Sequence, residues 1–171
     1  MDKDYQYFIA LDCSLTCTGV AVFRGKIVDA DVRDDYSNME LFKVMSIETK
    51  NAEDSSRSGK LVYIAKQFDD FKKEYNPIGI AYEGSFSRYI KSTAALYQVQ
   101  GIMLLAFFGI PMFEYAPSSV KKTIAGKGNS KKDIVQNKIM EIYPKMEFNN
   151  LDETDAVAVG IHHIESNKGG S

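Results

Sequence analysis

Residues Tyr7–Asp12 read YFIALD, a short run that is apolar in both alternating phases and ends on a carboxylate. Tyr7, Ile9 and Leu11 fall on one side of an extended chain, Phe8 and Ala10 on the other. A run that is greasy on both sides suits a strand covered on both faces, and it is too short for a helix. An aspartate at the end of such a strand is costly. Taking even a neutral polar group out of water costs roughly 2–7 kcal/mol when no partner compensates. The run continues as CSLTCTGVAVF, so a tight connection leads to a second strand, Thr18–Phe23, expected to pair antiparallel with the first.

The whole chain sets limits on what this strand can belong to. It has 171 residues, 44% of them hydrophobic and 26% charged, with a net charge of −2. That length predicts one domain with a real core, here 1–166, followed by a disordered tail, 167–171. The slightly acidic balance excludes a bulk basic nucleic-acid binder, so any such contact must come from a local patch. Two cysteines, Cys13 and Cys17, do not make a secreted disulfide framework. The histidines that a zinc site would need, His162 and His163, lie far along the chain. The N-terminus carries no signal peptide, and the apolar run Ile102–Phe108 is well short of the ~20 residues that span a bilayer. A cytoplasmic protein with no membrane partner is expected.

Working outward, Arg24-Gly25-Lys26 reads as a turn into Ile27–Val32, and Arg33–Asn38 as a polar loop. Leu41–Glu48 alternates as a strand. Ser58–Tyr75 places Leu61, Ile64, Ala65, Phe68 and Phe71 at helical spacing, with Pro77 as its stop. Ile78–Glu83 is a short strand that again ends on a carboxylate. Ser92–Phe108 reads as a long apolar helix, Ile110–Tyr115 as a strand, and Ser118–Ala125, Ser130–Tyr143 and Asn150–Ser166 as helices. This order predicts an α/β layered domain with a mixed sheet.

Four acids stand apart from scattered surface charge. Asp12 and Glu83 each end an apolar strand. Asp152 and Asp155 sit three apart at the start of the last helix and so share a face. Asn150 is a natural N-cap there, with Glu153 in the place of a capping-box partner. Each acid alone has a plain alternative: Asp12 can close an Asx-turn, Glu83 can be a surface charge, and Asp152 can answer the helix dipole. Together they point further. Converging carboxylates repel one another unless cations lie between them, and hard oxygen ligands select Mg²⁺ or Mn²⁺. Two such ions roughly 4 Å apart can activate water and stabilise the leaving oxygen of a phosphodiester.

At these residues the chain resembles the RuvC-type Holliday junction resolvases of the ribonuclease H-like superfamily, with a phage-type member among the candidates. ALDCSLTCTGVAVF resembles the family's first hairpin, with Asp12 as its first catalytic aspartate. IAYEGSFS resembles the strand that carries the catalytic glutamate, Glu83, with the aromatic Phe86 three residues on. IPMFEYAPSSVKKTIAGKGNSKKDIVQ resembles the strand, helix and glycine loop, and LDETDAVAVGIHH the terminal helix with Asp152 and Asp155. The resemblance implies a five-stranded mixed sheet flanked by helices. It also implies a homodimer that binds four-way or other branched DNA in recombination and repair, and paired hydrolysis that leaves 5′-phosphate ends. By it, Asp12, Glu83, Asp152 and Asp155 hold two Mg²⁺ ions, with Mn²⁺ able to substitute. Where many members have Pro-Gly after the first aspartate, this chain has Cys13-Ser14.

DNA contacts are expected from two places. Lys121, Lys122, Lys127, Lys131, Lys132 and Lys138 crowd the stretch around Gly126–Gly128 against a single acid, Asp133. The plain reading is a solvated helix face; alignment with the family's basic loop favours a phosphate patch, with Lys121 and Lys132 the best matches. Phe86 and Arg88 follow Glu83, and an aromatic beside a base suits stacking on unpaired nucleotides. His162 is read as a packed or surface histidine, and Glu114 is given a structural role. The rival functions are an inactive relative that only binds branched DNA, and an actin-like ATPase, for which the chain lacks a second domain and a second phosphate loop.

Overall fold

The computed structural model describes residues 4–27, 36, 38–84 and 90–168, the side chains of 90–93 excepted. The opening run lies inside strand β1 (Tyr5–Asp12), which is central in a five-stranded sheet. Strand β2 (Cys17–Lys26) pairs antiparallel with β1, and β3 (Glu40–Glu48) pairs antiparallel with β2. On the other side β4 (Gly79–Glu83) runs parallel to β1, and β5 (Met112–Tyr115) parallel to β4. The order is β3-β2-β1-β4-β5.

Helices cover both faces, which is why β1 is apolar in both phases. Helices α1 (Arg57–Tyr75) and α2 (Ile90–Ala106) bury Ile64, Phe68, Val99 and Met103 against Tyr7, Ile9 and Leu11. Helices α3 (Pro117–Ala125), α4 (Lys132–Ile142) and α5 (Leu151–Asn167) bury Val120, Ile139 and Val157 against Phe8 and Ala10. The α/β class and the mixed five-stranded sheet are as expected. Helix α1 begins at Ser56, whose hydroxyl accepts from the Gly59 N–H, and ends at Asn76 in the left-handed region, φ 40°, ahead of Pro77.

Two boundaries differ from the sequence reading. Arg24-Gly25-Lys26 is not a turn but the end of β2, paired with Tyr7, Gln6 and Tyr5. The Arg24 guanidinium lies 4.4 Å from the Phe42 ring centre and 5.0 Å from that of Tyr5, and it pairs with Glu40. A charged, glycine-containing triplet reads as a turn; aromatic rings alongside make it a strand. The rest of the expected segment, Val28–Val32, lies outside the described residues. At the far end α5 takes in Asn167, whose side-chain amide donates to the His163 carbonyl at 2.8 Å, so the helix enters the expected tail.

Two close approaches seat α5. A Cβ on Gly160 would run into the Phe23 ring, and one on Gly19 would run into the carbonyl oxygen of Asp152. Glycine at both positions lets the helix lie directly on β1 and β2. On the inner side of α5, His163 is fully buried, stacked 4.4 Å from Phe8, with Nδ1 2.7 Å from the Tyr115 hydroxyl. Burial, then the neighbouring His162, holds its imidazole down at about 4.

Candidate active site

The sheet register brings the acids together. Leu11 pairs with Tyr82 in the parallel β1–β4 ladder, so Asp12 and Glu83, one residue further on, end side by side. By strand alternation both fall on the face of Phe8, Ala10 and Ala81, beneath α5. The first two turns of α5 lower Asp152 and Asp155 onto the same spot. One carboxylate oxygen from each of Asp12, Asp152 and Asp155 lies within 4.8 Å of the others. Glu83 lines the same pocket, about 140 Å³, together with Asp12, Asp155, Pro117, Lys121 and Lys132.

The α5 start is pinned from several sides. The Asn150 side chain accepts from the Glu153 N–H at 3.1 Å and donates to Ser46 Oγ on β3 at 2.9 Å. The expected capping box is modified. The fully buried Glu153 carboxylate accepts from the backbone N–H of Asn149 at 2.8 Å, one residue earlier than a standard box. Burial, followed by the neighbouring Asp152, pushes the Cys17 thiol up to about 12. The hairpin between β1 and β2 explains Ser14: its hydroxyl accepts from the Cys17 N–H at 3.0 Å and donates to the Cys17 carbonyl at 2.7 Å. Thr18 answers by donating its hydroxyl to the Ser14 carbonyl at 2.8 Å. Cys13 turns inward, its thiol 3.7 Å from the Met103 sulfur.

Electrostatically the site is crowded with like charge. Burial, then Asp155, Glu83 and Asp152, pushes the Asp12 carboxyl up to about 7, with Lys132 opposing. Glu83 is raised by burial and by Asp155, against Lys121 and Lys132. Asp155 is raised by burial although it ion-pairs with Lys132 and accepts from Gln136 Nε2 at 3.4 Å. Burial alone would lower the Lys132 ammonium, but the bond to Asp155 and the surrounding acids raise it. Such a cluster binds a hard cation readily, because the cation removes the repulsion and every donor is a carboxylate oxygen.

Of the expected DNA contacts, the structure brings Lys121 and Lys132 into the acid pocket and leaves Lys122, Lys127, Lys131 and Lys138 exposed. Phe86 and Arg88 lie outside the described residues. His162 is half-buried, with Nδ1 2.7 Å from Thr123 Oγ1, and Glu114 accepts from the Tyr82 hydroxyl at 3.3 Å. Sequence reasoning missed Gln136. Its signal was an amide flush with the buried stripe Val135–Ile139, where a polar group needs a partner. It also missed Gly19, whose need for a bare backbone depends on a helix more than a hundred residues away.

The family model described as Crossover junction endodeoxyribonuclease RuvC matches residues 9–163. The chain is 38% identical over 90 residues to the protein of that name from Methylobacterium radiotolerans, covering 51% of this chain and 44% of the relative. It is 33% identical over 121 residues to the Nitrobacter hamburgensis protein, covering 69% of this chain and 70% of the relative. Thermus thermophilus RuvC superposes with a TM-score of 0.74 at 20% identity over 96% of this chain and 97% of that one. In complex with a Holliday junction substrate, the same Thermus protein superposes at 0.73, with 18% identity and 96% of each chain covered. At that identity the likeness establishes the fold.

Proposed function

This chain belongs to the RuvC family of crossover junction endodeoxyribonucleases, and on that premise we propose that it resolves Holliday junctions, and acts on other branched DNA, by metal-dependent hydrolysis of paired phosphodiesters. The observation that carries this reading is the convergence of Asp12, Asp152 and Asp155 within 4.8 Å, with Glu83 in the same pocket. These four acids would hold the divalent ions, two Mg²⁺ or Mn²⁺, as an all-oxygen donor set favours. Bound there, such ions would supply Lewis acidity, lowering the pKa of a water toward neutral and offsetting charge on the leaving oxygen.

The chain's own residues do the rest. Asp12, held up at about 7, would hold a cation as its carboxylate, so cation binding would strengthen as pH rises. Lys132 neutralises Asp155 and stands at the pocket rim, where a phosphate oxygen can take over its ammonium. Lys121 lines the other wall. Lys122 and Lys131 extend the positive surface along the duplex, giving sequence-independent, salt-sensitive affinity. Tyr97, Leu104 and Leu105 on α2, with Phe108 just past its end, are exposed, which supports pairing with a second copy and hence two pockets for two strands. Among the described residues no helix is long and apolar enough to cross a membrane, and the reading sets the enzyme in the cytoplasm with its DNA.

The test is cleavage of end-labelled four-way, three-way and flap substrates with Mg²⁺, for the wild type and Asp12→Asn. Paired nicks in the four-way junction are expected, with 5′-phosphate ends. Asp12→Asn is expected to bind the junction within a few-fold of wild type and to yield no product. Wild-type binding without product would leave a branched-DNA-binding relative instead, and cleavage by Asp12→Asn would remove Asp12 from the ligand set.

A further inference from the structure

Helix α2 packs against the sheet face opposite α5, yet it touches the ends of both strands that carry candidate ligands. Gln100 is 93% buried between Val99 and Met103, and its Nε2 donates to the backbone carbonyl of Glu83 at 3.1 Å. One turn on, the Met103 sulfur meets the thiol of Cys13, the residue that follows Asp12. A primary amide on an otherwise apolar helix face costs stability unless it is bonded. Here its bond goes to the last peptide of β4, at the point where Glu83 leaves the ladder. The N–H of the same peptide, that of Gly84, donates to the Tyr115 carbonyl at 2.8 Å. The end of β4 is thus gripped by β5 on one side and by α2 from below.

We propose that Gln100 is a positioning residue: by holding the Glu83 carbonyl it fixes the direction of the Glu83 side chain into the acid pocket, and so sets the affinity of the site for divalent ions. The inference rests on the reading of Glu83 as a metal ligand. Groups that orient a ligand typically govern metal affinity by 10- to 100-fold, without touching the metal.

The experiment is calorimetric titration of Mn²⁺ into the DNA-free protein, for wild type, Gln100→Met, Gln100→His and Glu83→Gln, with melting curves in EDTA. Gln100→Met keeps length and removes the donor. It is expected to weaken Mn²⁺ binding about 10-fold and to raise the Mg²⁺ needed for half-maximal cleavage by the same factor. Junction affinity and cleavage at saturating metal should stay near wild type. Gln100→His retains a neutral N–H donor and is expected to recover most of the affinity, a pattern that a packing role alone would not produce. Equal affinities in wild type, Met and His, or equal losses in Met and His, would overturn the proposal. If Glu83→Gln weakens binding while the Gln100 variants do not, only the role of Gln100 fails. If Glu83→Gln also binds normally, the ligand reading of Glu83 fails first.

Discussion

Asp12 shows how a single residue can oppose the fold it serves. Its carboxyl is raised from 3.8 to about 7, chiefly by burial and then by the acids around it. The folded protein therefore carries an extra proton between about pH 4 and pH 7, and the stability associated with this group declines as pH rises through that window. The buried His163 has the opposite sign: its folded value near 4 lies below the usual 6.5, so stability declines as pH falls through that range. A comparison at fixed pH cancels the histidine. In EDTA at pH 8, Asp12→Asn is expected to be more stable than wild type by about 1–3 kcal/mol, with the gap closing below pH 4. Thermal melts across pH measure it. A wild type that equals the variant at pH 8 would mean that burial and the neighbouring acids do not hold the Asp12 carboxyl up as the geometry requires. Lys132 belongs to the same balance, since its ion pair with Asp155 offsets part of that repulsion.

At the scale of an element, α5 decides whether there is a site at all. Its cap at Asn150, the tie to Ser46 and the close pass over Gly19 hold Asp152 and Asp155 opposite Asp12, which pairs with Gly19 across the hairpin. Gly19→Ala forces the helix start to lift or the strand to bend. The expected cost is about 1–3 kcal/mol of stability, as for other overpacked positions. Misplacing catalytic groups by about an ångström can cost 100-fold in rate, so cleavage should fall by about that factor while junction binding holds. Denaturant melts and single-turnover cleavage check both. Wild-type cleavage in this variant would show that α5 can stand off without moving its aspartates.

At the scale of the molecule, α2 and the turn that follows it carry exposed apolar side chains. Leu105 is 78% exposed and Phe108 83%, with Leu104 and Tyr97 beside them. A contiguous apolar patch of this kind marks an interaction site on a soluble protein. Under the proposed function a second copy covers it and supplies the second pocket. The double variant Leu105→Glu, Phe108→Glu is expected to sediment as a monomer, to keep its Mn²⁺ affinity within about threefold, and to nick junctions singly rather than in pairs. That tolerance follows because distant sites add nearly independently. A dimer that survives both charges would move the interface elsewhere.

Much of the fold was legible along the chain. The two-sided apolar run Tyr7–Asp12, the alternating strands, the helical spacing of Ile64, Phe68 and Phe71, and the pair Asp152 and Asp155 all declare their own burial or face. Periodicity reports exactly that: what a residue does relative to its own element. It does not report partners. The parallel register that sets Asp12 beside Glu83, the pass of Asp152 over Gly19, the Lys132–Asp155 pair and the Gln100–Glu83 bond join residues far apart in sequence. Arg24 was misread for the same reason, because the rings of Tyr5 and Phe42 that hold it extended come from neighbouring strands. The chain by itself determined which residues must be buried and which acids end apolar strands or share the start of the last helix. Only the tertiary structure decided how those acids meet, because their meeting is set by sheet register and helix docking, which no local pattern encodes.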